Sequence, residues 1–287
     1  MEIEFERIDK LIIDALREDL GDAGDLTTDS IVPSDLKGEG VLVALEEGVV
    51  AGLPVAKRVF RMVDSEIEFV YVIKDGDKVK ENTTIGRVQG SLGSILKAER
   101  TALNFLQRIS GIATTASKFV HAVEGTGAVI LDTRKTTPCM RILEKYGVKI
   151  GGGRNHRFGL YDMVLIKDNH IDAAGGVREA VERCINNLKK KKIKTKIEVE
   201  TRNLKEVKEA LDLPVDRIML DNMEIETIRE AVRIIDHRVE VEASGNVSLK
   251  NVRSIAETGV DYISIGALTH SVKALDISLR ISGSKVS

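Results

Sequence analysis

Apolar positions follow two rhythms along the chain, and the rhythm changes near its middle. In the first half, a helical spacing runs from about Arg7 to Asp19. "GDAGDLTTD" follows and reads as a loop rich in Gly and Asp. "GVLVALEEGVVAG" reads as strands around a turn at Glu46–Gly48, and "PVAKRVFRMVD" as a helix with Pro54 in its first turn. "IEFVYVIKDGDKV" reads as a strand with a turn at Asp75–Gly76. From about Ser91, the residues Leu92, Ile95, Leu96, Leu103, Leu106 and Ile109 form one apolar stripe and predict a long helix. Arg100 lies on the flank of that stripe, where its stem can cover the core edge and its guanidinium can reach elsewhere. This half, residues 1–112, reads as an α+β layer domain.

In the second half, residues 113–275, short apolar runs recur, each ending in a polar residue or a glycine. "AVILDTRK" ends at Asp132 to Lys135, "MVLIKDNH" at Lys167 to His170, and "KIEVE" at Glu200. "RIMLDN" ends at Asp221 and Asn222, "VEVEASGN" at Ser244 to Asn246, and "YISIGAL" at Gly266. From Glu200 the steps are 21, 23 and 22 residues, to Asp221, Ser244 and Gly266, with helical stretches such as "NLKEVKEALDL" between. A strand–helix unit at this period builds a parallel α/β barrel or open parallel sheet, with its chemistry at the carboxyl ends of the strands. Fewer than eight strands are evident, so the barrel is incomplete.

The polar strand ends carry the candidate chemistry. Arg134, Lys135, Arg157 and Lys167 sit at strand ends or in the stretch "GGGRNHRFG", Gly151 to Gly159. Their convergence makes a polyanion pocket, since arginine forks bind carboxylate and phosphate and lysine adds a point charge. Arg141, Lys145 and Lys149 lie instead on the amphipathic helix "RILEKYGVK" and read as solvated. Glu200 and Asp221 end successive strands and suit a ribose diol, a magnesium ion or both; salt bridges to neighbouring bases are the competing reading. Gly245 and Gly266 let backbone N–H groups approach a phosphate, or simply form strand-to-helix turns.

Composition narrows the classes. The 287 residues are 43% apolar and 31% charged with net charge −2, so no global field draws the chain to nucleic acid or membrane, and any anion site is local. No apolar run approaches ~18 residues, which excludes a spanning helix, and the acidic start "MEIEFERIDK" does not read as a leader. Cys139 and Cys184 lack metal-ligand spacing and read as free thiols in a cytoplasmic protein. "GGGRNHR" is not a dinucleotide fingerprint, and "KKKKIKTK" lacks the aromatics of a nucleic-acid patch. His121 and His237 read as structural, and no Ser-His-Asp set is legible.

Seven segments in order, "LDTRKTTP", "GGGRNHRFGLYD", "LIKDNH", "EVE", "LDN", "EASGN" and "ISIGALTHS", resemble the quinolinate phosphoribosyltransferase family. "EDLGDAGDLTTD" and "ILKAERTALNFLQRISGIAT" extend the resemblance from about Glu18 to Leu279. It implies an N-terminal α/β sandwich, rejoined by residues 276–287, plus an incomplete α/β barrel. It also implies nicotinate-nucleotide pyrophosphorylase (carboxylating) activity: quinolinate and phosphoribosyl pyrophosphate give nicotinate mononucleotide, pyrophosphate and carbon dioxide on the route to NAD. Arg134, His156, Arg157 and Lys167 then surround the quinolinate carboxylates, with Thr133 and Lys135 beside them. Arg100 reaches in from the neighbouring subunit of a homodimer or hexamer of dimers. Lys135 acts on the pyrophosphate. Glu200 and Asp221 hold the ribose hydroxyls and Mg2+, directly or through water. Ser244, Gly245, Asn246, Gly266, Ala267 and Leu268 cradle the 5′-phosphate, with His270 close by. One departure stands out: the family has glycine after "TTP" where this chain has Cys139, so we expect Pro138 to open the next helix without a left-handed residue. A sister family linked with molybdenum transport shares much of the pattern, so a different acceptor is a second reading, and a non-catalytic polyanion-binding protein a third. Acids facing the anion pocket favour turnover over binding alone.

Overall fold

The computed structural model describes residues 4–282; the expectations for residues 1–3 and 283–287 lie outside that range. In chain order, the first half carries α1 (Phe5–Leu20), α2 (Leu26–Ile31), β1 (Lys37–Ala44), β2 (Gly48–Val49), α3 (Leu53–Val63), β3 (Glu68–Tyr71), β4 (Lys78–Val79), β5 (Thr84–Ser91) and α4 (Leu92–Ala122). There follow β6 (Val129–Leu131), α5 (Arg141–Ile150), β7 (Val164–Ile166), α6 (Asp168–Ala174), α7 (Val177–Lys191), β8 (Ile197–Thr201) and α8 (Leu204–Leu211). The chain ends with β9 (Arg217–Asp221), α9 (Ile225–Ile235), β10 (Glu240–Ser244), α10 (Val252–Ala256), β11 (Tyr262–Ser264), α11 (Ala267–His270) and β12 (Ile277–Ser282). Residues 4–117, 137–152 and 271–282 form one unit, and residues 118–136 and 153–270 the other. The division therefore falls inside α4, and α5 belongs with the first unit.

The first unit is built on an antiparallel sheet of order β12-β1-β5-β3. Its core gathers Leu42, Phe69, Ile85 and Val88 from the strands, Phe60 from α3, and Ile95, Leu106 and Ile109 from α4. Burying side chains of this size contributes about 1.5–3 kcal/mol each. Asp75, in the turn between β3 and β4, accepts hydrogen bonds from the Gly52 and Leu53 N–H groups at the start of α3 and from the Tyr146 hydroxyl of α5 (2.8, 3.0 and 2.7 Å). Burial and this carboxylate push the Tyr146 hydroxyl well above the usual tyrosine pKa.

Several local expectations change. The strands flanking Glu46–Gly48 do not pair with each other: β1 pairs with β5 and β12, and β2 with β4. "GDAGDLTTD" runs into a helical turn, α2, because the Asp25 carboxylate accepts the Thr27 and Thr28 N–H groups as an N-cap. Lys145 is not solvated but fully buried, and Arg141 is half-buried; only Lys149 is exposed. The reason is that Leu143, Tyr146 and Val148 spread around α5 at ~100° per residue, so the helix is covered on most sides. Glu144, also fully buried, accepts from Arg108 (Nη2 at 2.7 Å) and from the Thr137 hydroxyl (2.8 Å). Gly147 and Gly151 pack α5 against α4: a Cβ on Gly147 would lie 2.9 Å from Ile112 Cγ2, and one on Gly151 2.7 Å from Ala116 Cβ.

The second unit holds a fully parallel six-stranded sheet of order β6-β11-β10-β9-β8-β7. β11 returns to pair with β6, and β6 and β7 stand at the two ends of this strand order among the described residues. The period-2 alternation of the strands sorts their side chains. Val199, Ile218, Leu220, Val241, Ala243 and Ile263 form one apolar, buried face. The other face carries three registered rows. They are Glu198–Arg217–Glu240, then Glu200–Met219–Glu242–Tyr262, and finally Asp221–Ser244–Ser264 at the carboxyl end.

Cys139 corrects the helix-opening expectation. Its φ is 65°, in the left-handed region, Pro138 lies in a turn, and α5 begins only at Arg141. A non-glycine residue there costs about 1–2 kcal/mol, of which glycine's extra chain entropy returns about 0.5–1 kcal/mol. Cys139→Gly should therefore match or exceed the parent in stability by up to ~1 kcal/mol. Cys139→Val, β-branched, should lower the thermal midpoint. A glycine variant that melts clearly below the parent contradicts the strained backbone.

Candidate active site

The carboxyl ends of the second unit's strands enclose a cavity of about 650 Å³. Its lining includes Thr133, Arg134 and Lys135 after β6, His156 and Arg157 from the loop before β7, and Lys167 after β7. Glu200 on β8, Asp221 on β9, and Ser244, Gly245 and Asn246 at the end of β10 complete the expected residues found there. Gly266, Ala267, Leu268 and His270 are not in the lining; they belong to the turn after β11 and to α11, and Leu268 is fully buried. Gly266 nonetheless abuts the site, since a Cβ there would lie 2.8 Å from Lys135 Cδ and 3.0 Å from His270 Nε2. Arg100 is exposed on α4, in the first unit.

A buried acid shapes the basic loop. Asp132 accepts hydrogen bonds from Asn155 Nδ2 (2.6 Å) and the His156 N–H (2.9 Å), while Arg154 N–H donates to the Ile130 carbonyl (2.8 Å). The "RNHR" segment is thereby laid alongside β6. Asp162 accepts the Phe158 and Gly159 N–H groups, and Arg157 Nη1 donates to the Met163 carbonyl (3.2 Å). Burial, and then the charge of Arg134, draw Arg157 below the usual arginine pKa. Two guanidiniums in one cavity repel, and an anion between them relieves that repulsion.

Facing these cations, Lys167 Nζ reaches Glu200 Oε2 at 2.7 Å, so the salt-bridge reading of Glu200 is realised inside the cavity. Asp221 Oδ2 accepts from Asn222 Nδ2 (2.7 Å), and Asn222 Oδ1 accepts from Asn246 Nδ2 (3.0 Å). Asn222 and Asn246 have φ of 53° and 51°, and Gly245 of 95°. A Cβ on Gly245 would collide with the Asn222 side chain and lie 2.9 Å from its backbone nitrogen. These residues form one tight knot joining the ends of β9 and β10. Glu200 Oε1 and Asp221 Oδ1 have no hydrogen-bond partner among the described residues. Two carboxylate oxygens opening on a cavity that suits phosphates are the donor set magnesium takes from a protein.

Beneath this layer lie residues that the reading of strand ends passes over. Glu198 and Glu242 are both fully buried. His156 Nε2 lies 3.0 Å from Glu198 Oε2 and 3.4 Å from Glu242 Oε2, and Arg217 Nη1 is 2.8 Å from Glu242 Oε2. Burial pulls the His156 pKa down and the hydrogen bonds and charges of both glutamates push it up, while the Arg157 N–H donated to Nδ1 at 2.7 Å opposes a second ring proton. Burial and the Glu242 charge push Glu198 up to about 6. Glu242, Met219, Asn222 and Ser264 also line the cavity. The signal for Glu198, Met219 and Glu242 was the alternation within "IEVE", "RIMLD" and "VEVEAS", which puts every second residue on the face of Glu200.

Comparison with known proteins is decisive. The N-terminal domain of quinolinate phosphoribosyl transferase matches residues 25–110, and its C-terminal domain residues 112–280. The chain belongs to the quinolinate phosphoribosyltransferase family. A relative from Nicotiana tabacum, quinolinate phosphoribosyltransferase [decarboxylating] 1b, is 49% identical over 93% of this chain and 80% of its own length. A probable nicotinate-nucleotide pyrophosphorylase [carboxylating] from Synechocystis is 44% identical over 96% of this chain and 92% of its own. The crystal structure of NadC from Streptococcus pyogenes superposes with a TM-score of 0.93 at 39% identity, covering 98% of this chain and 99% of that one. Like these relatives, the chain is a quinolinate phosphoribosyltransferase-family enzyme of mixed α/β fold.

The knot at Gly245 makes a prediction. Gly245→Ala introduces a Cβ where φ is 95° and Asn222 leaves no room. It should lower stability by about 1–3 kcal/mol and weaken inorganic pyrophosphate and phosphate inhibition. An alanine variant with parental melting and inhibition contradicts the close approach.

Proposed function

We propose that this chain transfers the phosphoribosyl group from phosphoribosyl pyrophosphate to quinolinate with decarboxylation, supplying nicotinate mononucleotide for NAD synthesis. One observation carries the reading: Arg134, Lys135, Arg157 and Lys167 share a single cavity with the acid pair Glu200 and Asp221. Quinolinate brings two carboxylates, and Arg134, Arg157 and Lys167 offer matching charge. Bases gathered at one spot let two polyanionic substrates meet despite their repulsion.

The quinolinate nitrogen attacks ribose C1 as the bond to pyrophosphate breaks, through a transition state of oxocarbenium character. Glu200 and Asp221 stabilise that developing positive charge, and they hold the ribose hydroxyls. Lys135, exposed at the rim, meets the departing pyrophosphate. Magnesium, when bound at Glu200 and Asp221, supplies charge neutralisation for the pyrophosphate. Ribosylation leaves the ring nitrogen cationic. The bond from C2 to its carboxyl group then breaks, carbon dioxide departs, and the electron pair stays on C2 beside the cationic nitrogen until a proton from water replaces it. No protein base is needed for this last step. The Ser244–Asn246 turn and Gly266 to Leu268 receive the 5′-phosphate through backbone N–H groups, with His270 alongside.

We further place Arg100 in the site of a neighbouring subunit and the enzyme in the cytoplasm. The exposure of Arg100 and its membership of the other unit support the first, and the two free cysteines the second. Among the described residues no helix is long and apolar enough to cross a membrane.

Incubation with magnesium and phosphoribosyl pyrophosphate should yield nicotinate mononucleotide and carbon dioxide from quinolinate, and little product from nicotinate, whose single carboxylate leaves cations of the cavity unanswered. Comparable turnover of nicotinate overturns the acceptor. Glu200→Gln and Asp221→Asn should each lower kcat at least about tenfold, or about 1.4 kcal/mol, while quinolinate binding by calorimetry stays near parental. Arg100→Ala and Arg134→Ala should each be nearly inactive. An equal mixture after subunit exchange should recover about a quarter of parental activity, since half of the dimers carry one whole site. No recovery after exchange verified by mass removes Arg100 from the neighbouring site.

A further inference from the structure

The reaction described above makes no use of Glu198, Glu242 or Arg217, yet burying such charges is expensive. A buried carboxylate needs a paired cation and hydrogen bonds, and even then an apolar trio of similar volume is often the more stable choice. Here the pairing is elaborate. Arg217 spans Glu242 (2.8 Å) and Glu240 (3.0 Å) and lies 4.0 Å from the centre of the Tyr262 ring. The Tyr262 hydroxyl donates to Glu240 Oε1 (3.2 Å). The other group facing the two buried glutamates is His156.

His156, Glu198 and Glu242 offer their ligand atoms within 4.8 Å of one another, as a metal site would. Two contacts argue against an ion there. Arg217 already holds the Glu242 oxygen that faces His156, and the Nε2 proton of His156 points at the glutamates. The other ring nitrogen is engaged as well: Nδ1 accepts the Arg157 N–H at 2.7 Å. That contact fixes the ring proton on Nε2, and Nδ1 takes a second proton only by giving the contact up. With both nitrogens committed within the unit, the ring is a strut. It runs from the floor of the sheet to the peptide from which the Arg157 side chain departs, and the Asp132 bonds to Asn155 and His156 secure the preceding peptide.

We propose that Glu198 and Glu242, with Arg217 as their counter-charge, are positioning residues that lock the His156 ring and through it aim Arg157 at the acceptor's carboxylates. The inference rests on the reading of this cavity as a dicarboxylate site. It gives the buried charges a purpose that packing alone does not: an aromatic strut held at both ends keeps a long cationic side chain preorganised, which lowers the ordering cost of binding. Glu198 and Glu242 thus set acceptor affinity, while Glu200 and Asp221 act on the ribose.

The test is a mutant cycle read separately for the two substrates. Glu198→Gln and Glu242→Gln keep volume and remove charge. Each should raise the quinolinate KM at least about tenfold, with the phosphoribosyl pyrophosphate KM within about twofold and kcat changed less than the quinolinate KM. His156→Ala should show the same pattern, and adding either glutamine substitution to it should change the quinolinate KM by less than about twofold, because the strut is already gone. Glu198→Asp, which keeps the charge on a shorter arm, should fall between Glu198→Gln and the parent, and it carries the cycle if a glutamine variant does not fold. Parallel rises in both KM values, or effects that multiply in the His156→Ala background, overturn the proposal. A parent enzyme that ignores quinolinate overturns the function instead, so the two failures are told apart by the parent alone.

Discussion

The architecture of the second unit turns on where charge is buried. A parallel sheet covered by helices on one face obtains its stability from that face, and Val199, Ile218, Leu220, Val241, Ala243 and Ile263 supply it here. The opposite face is free to be polar only if every charge on it is answered. Arg217 answers Glu240 and Glu242, and His156 answers Glu198 and Glu242. Removing one member strands the others at a cost of about 3–5 kcal/mol. The glutamates of β8 and β10 on either side of Arg217 are therefore a single interlocked solution, and the position of the "RNHR" segment is part of it.

The same segregation explains how a chain of net charge −2 binds polyanions. Its cations converge at the carboxyl edge of one sheet, where burial and the charge of Arg134 lower the affinity of Arg157 for its proton, and an anion between the two guanidiniums relieves their repulsion. The acids lie in the same cavity, not on a remote patch. Lys167 bridges the two sets through Glu200. The pair answers both charges inside the cavity.

Much of this was legible along the chain because a parallel α/β unit displays its chemistry at strand ends, and those ends are marked by a switch from apolar to polar residues. The six strand ends from Asp132 to Gly266 were found that way, and family resemblance assigned roles to them. What stayed hidden needed the third dimension. "KIEVE" is equally the signature of a strand with one solvated face, so the sequence alone does not tell Glu198 from a surface charge; the register that places it beside Arg217 does. Lys145 lies on a helix whose apolar residues do not form a narrow stripe, and charge alone pointed it to water. Cys139 is a cysteine in a glycine's conformation, which no rule of residue preference finds. The partners of β1 and β2 depended on strands far away in the chain, so the nearest turn misled.

The stretch "GGGRNHRFG" shows why a motif is better divided than named. Its glycines and its bases do unrelated work. Gly151 is where α5 meets α4 too closely for any side chain, and Gly152, at φ 91°, turns the chain in the left-handed region. Neither residue lines the cavity. The bases then run along β6 under the control of Asp132, and His156 spends both ring nitrogens on holding Arg157 in place. A glycine-rich loop beside arginines invites comparison with loops that cradle phosphate through backbone N–H groups. In this chain the N–H groups of His156 and Arg157 are taken by Asp132 and by the imidazole, so they have none to give. Recognition at this loop must come from the guanidinium, and its precision from the buried acids that hold the loop still.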